Sequence, residues 1–263
     1  MQWILQEFED THKLAAALDR LEFPYTVHKV VPFVGDLIPE PEITDPCNVV
    51  MFGSYGLWRN AAKNGYRPGV FKLRPFVYEV PWQPFMLNGP DAVFLTVAEV
   101  PSLLTGEGDW FVRPVSDSKE QPGKVLSANE MRSIAEKVVS LDEHEIPLGS
   151  LRHETTLMFT RPASISKEWR VWIVNDKVVT FSLYKEGTRI LYRREIDGDA
   201  MGFVEDMIAA NPGFAPAYVM DICRTDEGLK FLETNCINAA GFYEADVVKL
   251  AVAIDGLATN QTV

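Results

Sequence analysis

The chain has 263 residues, of which 47% are apolar and 24% charged, as in a globular protein with room for two modest domains. Its net charge of −12 argues against a general nucleic-acid binder, because such proteins need a basic surface to displace counterions from phosphates. The three cysteines and four histidines lack the spacing of a disulfide framework or a zinc motif, which excludes both classes.

The sequence shows neither a membrane span nor a secretion signal. No apolar run approaches the roughly 18 residues that a membrane helix needs. The first residues, MQWILQEFEDTHK, lack a basic region, an apolar core and a small-residue cleavage site. We therefore expect no membrane association and a cytoplasmic location.

The first hundred residues predict a small α/β domain with a parallel sheet, because strand and helix patterns alternate. The predicted elements are a strand at 2–8, a helix at 12–21, strands at 25–31 and 48–52, and a helix ending at 63. The turn Gly53–Gly56 could be a plain tight turn or could bind an anion through its backbone amides. Prolines interrupt the chain between 64 and 105, and we place a domain boundary near residue 100.

The second half predicts an α+β domain, residues 101–263, with a mainly antiparallel sheet. Ser127 and Glu130 form a capping box, which predicts a helix from there to about residue 141. The other predicted elements are strands at 110–114, 124–126, 168–174, 178–184, 218–223 and 229–235, and helices at 204–210 and 245–254.

The last two strands predict a hairpin that gathers polar side chains on one face. A three-residue loop ending at Gly228, with this glycine in the left-handed conformation, places Asp221 opposite Glu233. Alternation then puts Asn235 on the same face and Lys230 on the opposite one. A two-residue turn would instead separate the two acids onto opposite faces.

This arrangement favours a divalent cation. Two carboxylates facing each other across a hairpin repel, and a cation between them reverses the sign of that interaction. Oxygen ligands from Asp221, Glu233 and Asn235 suit Mg²⁺ or Mn²⁺ rather than zinc. The alternative is that both acids lie at a solvated sheet edge, bonded to water or lysines.

The hairpin formed by residues 167–184 also predicts one apolar and one polar face. An odd-length loop, Asn175–Lys177, brings its apolar odd-numbered residues together. The opposite face then carries the polar residues Glu168, Arg170, Thr180, Ser182 and Tyr184. Arg170 could stabilise phosphoryl oxygens with its bidentate guanidinium, or it could form a solvated surface pair with Glu168.

Taken in order, these segments resemble the ATP-grasp family over roughly residues 105–255. The resemblance lies in FVRP at 111–114, EWRVWIVNDKVV at 168–179, GLKFLETN at 228–235 and NAAGFY at 238–243. It is closest to a clade of small phage and bacterial ATP-grasp proteins, in which an arginine replaces the usual first phosphate-contacting lysine. A viral origin would place the protein in the host cytoplasm.

The resemblance implies an ATP-grasp fold of two α+β lobes, about 101–156 and 157–263, that clasp ATP and follow a small pre-ATP-grasp domain. It implies that Arg113, Lys119 and Arg170 contact phosphates, with Lys119 and Arg170 acting in catalysis. Asp221, Glu233 and Asn235 would hold the metal.

The resemblance also assigns the adenine side of the site. Met158, Phe159 and Thr160 would form the hinge that holds adenine, and Glu168 would be the acid that precedes the arginine. Asn238, three residues beyond the metal strand, could be a further amide ligand, a helix cap, a substrate contact or part of the loop structure.

The reaction implied is ATP-dependent ligation of a carboxylate and an amine through an acylphosphate, on small-molecule or peptide substrates. A kinase or other phosphotransferase with the same nucleotide cleft is the alternative enzyme. A non-catalytic nucleotide-binding module is the alternative outside enzymes. No serine, cysteine or histidine arrangement suggests a covalent route instead.

Overall fold

The computed structural model of the protein describes residues 1–32, 34–87, 89, 91–105, 107–116 and 122–259. The chain divides into two compact units: unit 1 combines Met1–Phe76 with the chain from Ile165 onwards, and unit 2 is Val77–Ser164. The predicted boundaries near residue 100 and at 156/157 both fall inside unit 2. Within the described ranges, no helix is long and apolar enough to cross a membrane.

The N-terminal part of unit 1 is an α/β layer. Its elements are β1 (Gln2–Gln6), α1 (Glu9–Leu21), β2 (Tyr25–Val30), β3 (Leu37–Ile38), β4 (Val49–Phe52), α2 (Gly56–Asn64) and β5 (Pro68–Gly69). The strand order is β3-β2-β1-β4-β5, and all pairs are parallel except β2 with β3. Helix α1 buries Leu14 and Leu18, which are four residues apart and share one helix face.

Unit 2 is a four-stranded antiparallel sheet with helices. Its elements are β6 (Val93–Thr96), α3 (Val100–Leu103), β7 (Asp109–Pro114), β8 (Lys124–Ser127), α4 (Ala128–Val139) and β9 (Thr156–Thr160). The strand order is β6-β9-β7-β8. Helix α4 begins with the predicted capping box, in which Ser127 Oγ accepts from the Glu130 amide and the Glu130 carboxylate accepts from the Ser127 amide.

The remainder of unit 1 is a five-stranded antiparallel sheet. Its elements are β10 (Ile165–Val174), β11 (Lys177–Glu186), β12 (Arg189–Arg193), α5 (Gly198–Ala210), β13 (Ala217–Thr225), β14 (Gly228–Asn235) and α6 (Val247–Thr259). The strand order is β12-β11-β10-β13-β14. Strand β10 is central, and both of its faces are buried from Glu168 to Val174.

The core of unit 1 joins its two sheets. Trp3 and Phe52 from the N-terminal sheet share one apolar cluster with Trp172 from β10 and Leu250 from α6. All four side chains are at most 1% exposed. Burying each such side chain stabilises the fold by about 1.5–3 kcal/mol. Trp172, whose environment the sequence left open, is therefore part of the core.

The β10–β11 hairpin reaches its predicted faces by a different route. The predicted three-residue loop is wrong: Val174 pairs with Lys177 around a two-residue turn, in which Asn175 and Asp176 have φ of 49° and 55°. Such left-handed pairs match the twist of the strands. A bulge at Val179 then restores the register that an odd-length loop would have given.

The β13–β14 hairpin repeats this solution. Thr225 pairs with Gly228 around a two-residue turn, so the predicted three-residue loop is wrong here as well, although Gly228 has a positive φ of 105°. A bulge at Leu232 shifts the register by one residue, and beyond it Asp221 pairs with Glu233 as predicted.

Candidate nucleotide and metal site

The bulge at Leu232 places three predicted metal ligands on one sheet face. Asp221 is directly opposite Glu233, and Asn235, two residues along β14, is opposite Val219. The Asn235 Nδ2 donates hydrogen bonds to Asp221 Oδ2 at 3.2 Å and to Glu233 Oε1 at 3.0 Å. The amide therefore holds the two carboxylates close together, as the sequence predicted from alternation alone.

Arg170 joins this group from the neighbouring strand, where it pairs with Asp221. Its Nε and Nη2 donate to Asp221 Oδ1 and Oδ2 at 2.9 and 2.8 Å, a bidentate ion pair with side chains 10% and 1% exposed. Burial alone would lower the pKa of Arg170, but the adjacent Asp221 carboxylate raises it, so the guanidinium stays charged. Arg170 thus neutralises a buried carboxylate, and the solvated Arg–Glu surface pair is wrong.

Glu168 lies two residues before Arg170 on the same face. Its carboxylate accepts from Tyr184 Oη at 2.6 Å and from Lys185 Nζ at 2.5 Å. Tyr184 is the extra residue of a further bulge between Glu168 and Trp169. Burial, followed by the charges of Asp221 and Glu168, raises the pKa of Tyr184, so its hydroxyl remains a donor.

A row of cross-strand neighbours extends the polar face. Lys185, Glu168, Cys223 and Lys230 pair in that order across β11, β10, β13 and β14. The prediction that Lys230 projects from the face opposite Asp221 is wrong, because the bulge at Leu232 reverses the alternation of β14. Burial and the charge of Glu168 raise the pKa of Cys223 to about 12.

Asn238 anchors the loop that follows β14. Its Oδ1 accepts from the Phe71 amide at 2.8 Å, and its Nδ2 donates to the Met51 carbonyl at 2.7 Å. The Asn238 carbonyl accepts from the Gly53 amide at 2.9 Å. Because the Ser54 amide is also bonded, to Gln6 Oε1 at 2.7 Å, the Gly53–Gly56 turn has two amides fewer for an anion.

Unit 2 brings together the other predicted nucleotide contacts that the structure describes. Arg113 on β7 pairs directly with Met158 on β9, and Thr160 pairs with Phe111. The Phe159 side chain packs in the core of this unit, so only its backbone could contact a ligand. Lys119 lies outside the described residues, and its predicted phosphate contact stays a prediction.

The donor set fits a hard divalent cation. The described residues contain no cluster of three or more His, Cys, Asp or Glu side chains able to hold a metal. The predicted set instead comprises two carboxylates and an amide, joined by the two bonds from Asn235. Their oxygens are ligands that Mg²⁺ accepts, and half a turn of the Asn235 amide would present its oxygen beside the carboxylates.

Comparison with known proteins decides the family. Residues 59–254, well over half of the chain, match the model of an ATP-grasp domain family, the third family of its clade. The chain belongs to this ATP-grasp family. No curated protein matches the sequence at a significant level.

Solved structures show the same ATP-grasp fold. D-cycloserine synthetase DcsG has a TM-score of 0.62 at 12% identity, with 98% of this chain and 100% of that chain covered. D-alanine–D-alanine ligase from Bacillus anthracis complexed with ATP has a TM-score of 0.60 at 14% identity, covering 99% and 97%. ATP-grasp ligase PsnB complexed with a minimal precursor has a TM-score of 0.53 at 14% identity, covering 99% of each chain.

The sequence missed two contributors to the ATP-grasp site. Lys185 follows the polar face of β11 after a bulge that no local pattern announces. Tyr243 lies in the loop after Asn238, and its ring centroid is 4.8 Å from the Arg170 guanidinium carbon. The quoted segment NAAGFY ends at this residue, which was the only available signal.

Proposed function

We propose that this protein is an ATP-dependent ligase that joins a carboxylate to an amine through an acylphosphate. Membership of the ATP-grasp family and likeness in fold to solved ATP-grasp ligases support this proposal. The single observation that carries it is the cluster of Arg170, Asp221, Glu233 and Asn235, in which a buried cation meets an oxygen-rich ligand set.

Asp221, Glu233 and Asn235 would hold Mg²⁺ or Mn²⁺, which when bound would neutralise charge on the phosphates of ATP. Their backbone positions are fixed by the paired strands β13 and β14. Phosphoryl transfer asks the protein mainly for positioning and charge, which these residues supply.

Arg170 is placed to act on the transferred phosphoryl group. Two of its nitrogens bond Asp221, and within the described part of the chain its Nη1 makes no hydrogen bond. That third nitrogen can donate to a phosphoryl oxygen while the other two keep the guanidinium in place. Arg113 and Lys119 would add positive charge at the phosphates, and Met158–Thr160 would hold adenine.

The proposed chemistry uses no enzyme nucleophile. A substrate carboxylate oxygen attacks the γ-phosphorus of ATP, the bond to the β-phosphate oxygen breaks, and ADP leaves. The amine then attacks the acyl carbon, loses a proton, and inorganic phosphate departs. Cys223 is a poor alternative nucleophile, because burial and the charge of Glu168 raise the pKa of its thiol to about 12.

The substrates we propose are amino acids or peptides. The structural relatives include a D-alanine–D-alanine ligase and a ligase complexed with a precursor peptide. A screen of ADP release should therefore pair carboxylates with amines from both classes, with and without Mg²⁺. ADP release that needs both partners supports a ligase, whereas release with one acceptor alone would show a phosphotransferase.

Glu233→Gln tests the metal assignment. The variant removes one charge beside the proposed cation and should reduce turnover by about 100-fold or more. Glu227→Gln, on the exposed turn of the same hairpin, should leave turnover unchanged; Glu227 is 83% exposed. Normal turnover in Glu233→Gln, or ATP binding that ignores Mg²⁺ in calorimetry, would contradict the assignment.

A further inference from the structure

Tyr243 is the middle ring of an aromatic stack beside Arg170. Its ring lies 4.7 Å from that of Tyr192 with an interplanar angle of 9°, and 5.3 Å from that of Tyr184 with an angle of 29°. The Arg170 guanidinium carbon is 4.8 Å from the Tyr243 centroid and 5.8 Å from the Tyr184 centroid. The charged plane is therefore covered by aromatic rings, an arrangement that favours a cation.

The backbone of Tyr243 is held in a conformation that bulky residues rarely adopt. Its φ is +48°, in the left-handed region. The Tyr243 carbonyl accepts from Lys13 Nζ at 2.6 Å. Just beyond it, the Asp246 amide donates to Thr180 Oγ1 at 2.7 Å. A strained residue that its surroundings fix on both sides is typical of a functional position.

The strand beneath the loop links this conformation to Arg170. Ser182 pairs with Arg170, and the Ser182 Oγ accepts from the Glu244 amide at 3.4 Å. Phe242, which is 2% exposed, anchors the preceding residue by stacking on Phe52 at 6.1 Å. The loop is therefore fastened to the strand that faces Arg170 and to the core of unit 1.

Arg170 needs such a cover for a geometric reason. Its Nε and Nη2 bond Asp221, which fixes one edge of the guanidinium but does not prevent the plane from tilting about that edge. A ring against the flat face removes this freedom. The direction of Nη1, the nitrogen left for a phosphoryl oxygen, then depends on the ring.

We propose that Tyr243 is a positioning residue whose aromatic ring clamps the Arg170 guanidinium and fixes the direction of Nη1. The consequence for turnover rests on the proposed ligase function. The clamp itself rests only on the contacts of Tyr243 and Arg170.

Kinetics of three variants test the clamp. Tyr243→Phe keeps the ring and should keep kcat. Tyr243→Gly relieves the left-handed strain but removes the ring, so it should fold and lose kcat by about 10- to 100-fold, with KM for ATP changed much less. Tyr192→Ala removes the outer ring, which stacks on Tyr243, and should change kcat little. Normal kcat in Tyr243→Gly, or equal losses in the Phe and Gly variants, would overturn the proposal.

The Nε–H signal of Arg170 in a proton–nitrogen NMR spectrum gives a readout without activity. Arg170→Lys lacks the signal and therefore assigns it. In Tyr243→Phe the signal should stay in place, whereas in Tyr243→Gly it should lose its ring-current shift and exchange faster with water. An unchanged signal in Tyr243→Gly would refute the clamp. A wild-type protein that ligates no substrate would contradict the proposed function, and the NMR comparison would still decide on Tyr243.

Discussion

One face of the five-stranded sheet has two ends of opposite character. The apolar end, formed by Trp172, Val174, Ala217 and Val219, packs into the core of unit 1. The polar end, formed by Glu168, Arg170, Asp221 and Glu233, carries the candidate site on the same strands. Arg170 and Trp172 are only two residues apart on β10, so the face changes from stability to chemistry within one alternation.

The difference between the two ends concerns what a substitution removes. At the apolar end, a smaller side chain loses packing and leaves a cavity. At the polar end, buried charges are balanced only by one another, and replacing them with apolar groups can even stabilise a fold. We therefore expect substitutions at the apolar end to reduce stability and substitutions at the polar end to reduce activity first.

Breaking the Arg170–Asp221 pair should have the largest effect, because it affects both properties. Asp221→Asn removes a proposed metal ligand and leaves the Arg170 charge buried without its counterion, which should cost about 3–5 kcal/mol of folding stability in addition to abolishing turnover. The midpoint of urea unfolding and the ADP release assay measure the two losses.

The double variant Arg170→Met with Asp221→Leu is the matched control. It removes both charges together, so its unfolding midpoint should be close to or above that of the wild type, while turnover stays absent. A double variant as unstable as Asp221→Asn would show that the polar end contributes to folding in the same way as the apolar end, and the comparison would fail.

Trp172→Ala should have the largest effect on stability alone. Trp172 is fully buried, and its truncation should cost about 3–5 kcal/mol. Turnover per folded molecule should change little, because the side chain packs in the core rather than at the site. Tyr78→Ala, at a residue 54% exposed in unit 2, should lower the free energy of unfolding by less than about 0.5 kcal/mol. Turnover lost in proportion at full folding would mean that the two ends are not separable.

Cysteine labelling should give the smallest effect and sharpens the comparison. Cys223 lies on the polar face but is fully buried, and its pKa is raised to about 12, so at pH 8 only about one molecule in 10⁴ carries the thiolate. Iodoacetamide should label the exposed Cys47 in the native protein and label Cys223 and Cys236 only in denaturant. Native labelling of Cys223 at the rate of Cys47 would show that the polar end is open beneath its side chains.

Local signals in the sequence were sufficient for the elements and for the site face. The Ser127–Glu130 capping box starts α4 because it involves only neighbouring residues. The pairing of Asp221 with Glu233 was predicted correctly although its loop was not, because a two-residue turn plus a one-residue bulge has the same parity as a three-residue loop. Parity alone decides which residues share a face.

Non-local features could not be predicted. The bulges at Val179, Tyr184 and Leu232 are not marked by glycine, and no turn sequence announces them. The position of Lys230 was therefore wrong. Likewise, no local pattern showed that the chain leaves unit 1 after Phe76 and returns at Ile165, because this division depends on contacts between distant segments.

The bulge at Leu232 also constrains how this gene can change in length. Deleting one residue between Asp221 and the turn, or removing the bulge itself, would exchange the two faces of a strand and send Glu233 and Asn235 to the opposite side of the sheet. An insertion or deletion in this hairpin can therefore be tolerated only together with a second, compensating one. Descendants of this protein should vary in these strands by substitution and should change length in the turns two residues at a time.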